Sequence, residues 1–201
     1  MSEPRCKRLK TSLPICKNHK ALSGSRVTQN LPAVVEESLC GVTTLLMEAA
    51  YRLQALARIF EQHDVALPRV AGFFHQESEK EQKQAEAMLA YLTERGAHYC
   101  NKDIKKPGCE DVCSLIPALE VMLAQWKELL SCMVELCQLA GEHGDPHTAS
   151  TVKGCFLAPL VPKVKELGDL LTNAKRAGCA DHEPGFGEYL TDQLLEEWSG
   201  I

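Results

Sequence analysis

PRVAGFFHQESEKEQKQAEAMLAYLTERG, residues 68–96, decides how this chain folds. Pro68 suits a first helical turn and Gly96 a stop. Between them Val70, Phe74, Glu77, Glu81, Gln84, Met88 and Leu92 recur at three- and four-residue spacing. That period predicts a helix over about 68–95 with this stripe turned inward. Three consecutive members of the stripe, Glu77, Glu81 and Gln84, are polar. A buried carboxylate needs a partner or must take up a proton.

Working outward, the same period appears on both sides. Val35, Leu39, Val42, Leu46, Leu53 and Phe60 predict a helix over about 31–60, with Pro32, Glu36 and Glu37 favourable at its start. After residue 96 comes a long connection, 97–113, containing Pro107 and Gly108, and Ser114 is the expected N-cap of a third helix reaching about Ala140. Its inner face is Leu119, Met122, Trp126, Leu129, Met133 and Cys137. Asp145 and Pro146 form an N-cap and first-turn pair for a fourth helix to Ala177, ended by Gly178. Pro159 and Pro162, with Gly154 just before them, predict a kink or break near 157–163. A short fifth helix follows over about 187–198. The expected fold is all-α, a four-helix bundle with a short fifth C-terminal helix. The long link permits a crossover between the second and third helices.

Composition agrees. The 201 residues suit one well-filled core, and 45% hydrophobic with 24% charged residues belongs to a soluble globular protein with no membrane span. Residues 1–26 carry seven basic side chains and one acid, a charge of +6, and residues 27–201 carry 15 basic and 26 acidic ones, a charge of −11. The division is thus a basic extension, 1–26, expected to be disordered, and a helical domain, 27–201. The alternative for the extension is mitochondrial targeting, against which Pro4 and Pro14 weigh. The acidic body argues against nucleic acid and suits the handling of cations. The ten cysteines lack zinc-site spacing and are expected to stay reduced, with Cys40, Cys132, Cys137 and Cys155 acting as small buried hydrophobes.

At this point the chain resembles the ferritin family over about Val27 to Tyr189. The resemblance is carried by Asp64-Val-Ala-Leu67, Arg95-Gly96, and Asp103-Ile-Lys-Lys-Pro107 with Cys109 and Asp111. It continues in Asp145-Pro-His147, Lys165-Glu-Leu-Gly-Asp169 with Thr172-Asn173, and Glu188-Tyr-Leu190, in the family's order and spacing. It implies a hollow shell of twenty-four subunits, self or mixed, that takes up ferrous iron and stores ferric mineral.

The resemblance also implies where an iron-oxidising centre would lie. Its first-helix glutamate and tyrosine fall on Leu46 and Leu53, and its second-helix glutamate and histidine on Glu81 and Gln84. The third-helix glutamate falls on Trp126 and the fourth-helix glutamine on Leu160. Iron prefers anionic oxygen and imidazole, so one carboxylate and one amide cannot hold two ions. No catalytic residue is therefore expected. The residues left to touch iron are Glu81 and Gln84 inside, and Glu79 and Glu86 on the face that nucleates mineral in storage-type members. Channel positions ringed by acids in the family hold Ser150 and Lys153. The expected role is a non-catalytic subunit for cytoplasmic iron storage, co-assembling with catalytic subunits. The alternative is a divergent structural or regulatory bundle that has lost iron handling, and an unrecognised oxidase ranks below both.

Overall fold

The computed structural model describes residues 26–100, 103–109, 112–178 and 185–198, so the basic extension lies outside the described residues except for Arg26. Among the described residues every regular element is helical. The elements are α1 (Ala33–Phe60), α2 (Pro68–Glu94), α3 (Leu115–Glu142), a composite α4 (Pro146–Arg176) and α5 (Gly185–Trp198). No described helix is long and apolar enough to cross a membrane.

Three sets of end contacts establish the direction of each helix. The last turn of α2 meets the start of α1, where Thr28 Oγ1 donates to Gly96 O and Arg95 Nη2 donates to Asn30 O at 3.0 Å. Gly96 has φ +67°, and a Cβ there would lie 3.0 Å from Val27 Cβ, so glycine is required by conformation and space together. Arg95 also bonds Asp145 just before α4, so α4 runs opposite to α2. At the other end, Asp192 Oδ1 accepts from the backbone N–H groups of Arg69 and Val70, and Glu188 Oε1 accepts from that of Leu115. One face of α5 therefore reaches the starts of both α2 and α3, which run parallel. The connection between them climbs along α1, held where Glu48 accepts from Lys105 N and Arg52 Nε donates to Pro107 O.

Those α5 contacts correct one expectation. Ser114 precedes α3 but its side chain makes no capping bond; Glu188 supplies the acceptor from a distant part of the chain. Asp145 behaves as expected and accepts from Thr148 N at 3.0 Å.

The fourth helix also departs from expectation. It consists of Pro146–Thr151, a π-helical stretch Val152–Leu157, and Ala158–Arg176. Ala158 N donates to Lys153 O, a five-residue span. The chain does not break near 157–163; the irregularity lies one turn earlier as a wide turn. Its consequence is register. Thr148, Val152, Phe156 and Leu160 are buried at intervals of four, and Leu167, Leu170 and Ala174 continue the face with α spacing. A regular helix would drift about 40° at each four-residue step; the wide turn cancels that drift. Gly154, Cys155, Pro159 and Pro162 are left on the solvent side. Cys155 is thus exposed, contrary to expectation, while Cys40 and Cys132 are fully buried and Cys137 is half-buried. Cys100, in the crossover, is disulfide-bonded, so reduced thiols do not hold there.

The core runs the length of the bundle and includes Leu39, Phe60, Phe74, Met88, Leu119, Met122, Leu129 and Leu167.

Candidate metal centre

Glu77 and Glu81 stand one helical turn apart on α2 and point into the bundle, 6% and 2% exposed. Both meet the same cation. Lys163 Nζ, from α4, lies 3.0 Å from Glu77 Oε2 and 3.0 Å from Glu81 Oε1. It also sits 4.9 Å from the centroid of the Trp126 ring on α3, within cation–π range. The outer oxygen of Glu77, Oε1, accepts from Lys80 Nζ at 2.6 Å. Two carboxylates therefore face two ammonium groups, one at the surface and one inside.

Lys163 reaches this place through the register of α4. It occupies the step between buried Leu160 and buried Leu167, on the inner face of the α-helical stretch Ala158–Arg176. Burial by itself pulls its pKa down, but Glu81 and Glu77 outweigh this and hold it above the ordinary lysine value. The side chain remains an ammonium ion.

The expected ligand positions divide into two groups. Leu46, Glu81, Gln84 and Leu160 line one small cavity together with Lys163, Phe156 and Met133. Its volume of about 30 Å³ leaves room for one or two waters. Leu53 and Trp126 are buried, at 1% and 3% exposure, without lining that cavity. Trp126 Nε1 is buried with no hydrogen-bond partner, so packing and the Lys163 contact hold the ring. Removing these four apolar side chains from water contributes about 1.5–3 kcal/mol each. Among the described residues no three His, Cys, Asp or Glu side chains converge to hold a metal ion. The expected ligand positions carry one carboxylate, Glu81, one amide, Gln84, and four apolar or aromatic side chains.

Glu79 and Glu86 lie apart from this interior. Both are exposed, seven residues apart and so on one face of α2, and Glu86 Oε1 accepts from Gln82 Nε2 at 3.3 Å. Lys83 is exposed between them. Ser150 and Lys153 are exposed near the start of α4.

Just before those two positions the chain is anchored by a polar cluster. Arg95 donates to Tyr91 Oη, Thr148 Oγ1 and both oxygens of Asp145. His147 stacks on Tyr91 with centroids 5.7 Å apart and shares a 2.9 Å bond with its hydroxyl. Burial would raise the pKa of Asp145, yet the hydrogen bonds from Thr148 and Arg95 outweigh it and hold the carboxyl below its ordinary range.

Sequence reasoning missed Lys163 as a member of the interior cluster. Its signal was present in Glu77 and Glu81, which demand a cation, but the break expected near 157–163 hid the helix that carries Lys163 to them. Glu77 was legible, as part of the inner stripe.

Comparison with known proteins fixes the class. Residues 38–177 match the family model described as the ferritin-like domain. The chain is 34% identical to soma ferritin of Lymnaea stagnalis over 172 residues, covering 86% of this chain and 96% of that protein. It is 34% identical to the oocyte isoform of the ferritin light chain of Xenopus laevis over 170 residues, 85% and 95% of the two chains. It is 32% identical to the middle subunit of ferritin from Aquarana catesbeiana over 169 residues, 84% and 95%. The chain belongs to the ferritin family.

Proposed function

We propose that this chain is a ferritin subunit that contributes to iron storage without oxidising iron itself, in shells shared with catalytic subunits. The observation that carries the reading is Lys163, whose ammonium holds Glu77 and Glu81 from inside the bundle. Ferrous iron entering there would meet a positive charge already paired with the carboxylates it needs. The remaining positions, Leu46, Leu53, Trp126 and Leu160, offer no ligand. Glu79 and Glu86 are the exposed carboxylates left to touch mineral, and Lys153 would repel cations where acids would draw them in. Both points favour mixed shells, in which other subunits supply entry and oxidation. In this reading the protein works in the cytoplasm, as a member of a twenty-four-subunit assembly, and binds neither nucleic acid nor membrane.

A second reading, a subunit that assembles but has lost iron handling, is favoured by exposed Lys83 between Glu79 and Glu86 and by Lys153. One experiment separates the readings. Ferrous iron is added in air to the purified chain and to shells formed with a catalytic ferritin subunit, and dioxygen uptake and retained iron are measured. The chain alone is expected to consume dioxygen no faster than background, and mixed shells to retain iron. Rapid, saturable uptake by the chain alone would overturn the non-catalytic reading. Mixed shells that retain iron only in proportion to their catalytic subunits would favour the second.

A further inference from the structure

We propose that Lys163 is a tethered counter-cation closing a latent divalent-cation site formed by Glu77, Glu81 and Gln84. The proposal deepens the non-catalytic reading above by naming the group that keeps metal out.

Three observations meet at this point. First, the oxygens already converge: Glu77 Oε2 and Glu81 Oε1 each lie 3.0 Å from one nitrogen, contributed by a different helix. A zinc-like ion takes carboxylate oxygens at about 2.0–2.2 Å, so each carboxylate would move inward by less than the width of an atom. Second, Lys163 fills the space an ion would need. The cavity beside it is lined by Glu81, Gln84 and Lys163 themselves, and at about 30 Å³ it holds no more than one or two waters. Shortening Lys163 would join its volume to that cavity and let the Gln84 amide oxygen and water complete a coordination sphere. Third, the charges already balance. Lys163 and Lys80 offset the two carboxylates, so an ion arriving beside Lys163 would add two uncompensated charges within a few ångströms of an ammonium.

Lys163 therefore acts through Glu77 and Glu81 as a positioning residue. It keeps the two carboxylates paired and unavailable. Its contact with the Trp126 face fixes the ammonium from the third side. An amine tethered to the chain acts at the high effective concentration its short tether sets, so free ions compete poorly with it.

The test uses the full chain with Co²⁺ as the probe. Lys163→Met and Lys163→Gln are prepared, together with Lys163→Met/Glu81→Gln, and metal stoichiometry and Tm are measured for each. The single variants are expected to bind one more Co²⁺ per subunit than the unaltered chain, at least tenfold more tightly than any interior binding there. Their Tm should fall without metal and recover with it. The double variant should lose the extra ion. If Lys163→Met folds only when Co²⁺ is present, that dependence supports the latent site. Single variants that fold but bind no extra Co²⁺ would overturn it, and so would an extra ion that survives Glu81→Gln. Dioxygen uptake by the unaltered chain would end the non-catalytic reading, whereas the Co²⁺ count in the variants decides the latent site.

Discussion

At the residue scale, the acid Asp145 and the base Lys163, each held by an interior partner, mark opposite ends of the pH range. Asp145 is 1% exposed, and its folded-state pKa is lowered by Thr148 and Arg95 against the effect of burial. A lowered carboxyl contributes stability above its unfolded pKa and loses it as pH falls through the folded value. Lys163 is raised, so its contribution as a base is present at neutral pH and is lost as strongly alkaline pH removes the proton. Arg95→Leu would leave Asp145 buried without its cation, and such losses cost about 3–5 kcal/mol. The expected outcome in denaturant unfolding at pH 7 is a loss of that order. The gap between variant and parent should narrow as pH is lowered through the carboxyl range, because the parent then loses the same pair. An equal gap at every pH would show that Arg95 acts by packing alone.

At the scale of elements, α4 explains how a helix with two prolines survives. Pro159 directly follows the wide turn whose Ala158 N already reaches back to Lys153 O, and Pro162 lies three residues on; both are on the exposed side. The face that packs on the bundle loses neither volume nor shape. Pro162 still removes a donor to Ala158 O, and an interior proline costs about 3 kcal/mol relative to alanine. Pro162→Ala is therefore expected to raise stability by about 1–3 kcal/mol, read from the denaturation midpoint, without altering the Lys163 cluster. A loss of stability would mean that the wide turn depends on Pro162. The capping of α2 and α3 by α5 is a second device at this scale. Asp192 and Glu188 satisfy N–H groups that the local sequence leaves open, which ties the last helix to the ends of two others.

At the scale of the whole molecule, α5 leaves an apolar stripe uncovered. Phe186 is 76% exposed and Tyr189 58%, with Leu190 and Leu194 on the same face at helical spacing. Tyr51 on α1 and Val161 on α4 are also exposed. Clustered apolar surface of this kind is covered in proteins that assemble. The chain is expected to enter oligomers, and more completely when co-expressed with a catalytic ferritin subunit, because Lys153 would then be diluted around shared channels. Size exclusion with mass measurement, alone and co-expressed, checks this. Recovery only as monomer or dimer in both cases would reject co-assembly.

The bundle was legible in the sequence because its signals are local. The 3.6-residue stripes, Asp145 before Pro146, Gly96 as a stop and the long 97–113 link each act within a few residues, and each appears in the structure where expected. The apolar replacements were legible too, since identity at a helix position is a property of the chain alone: Leu46, Leu53, Trp126 and Leu160 are all buried. What replaced the positive charge was not legible. Lys163 follows Pro162 in a segment that reads as a kink, and only the helix that continues through it carries Lys163 onto the face of buried Leu160 and Leu167. The two carboxylates that Lys163 meets come from α2, 82 and 86 residues away in the chain. The cap on α3 has the same character, because Glu188 is 73 residues from Leu115. Local periodicity determined the elements; the balance of charge inside them was decided by which helices meet.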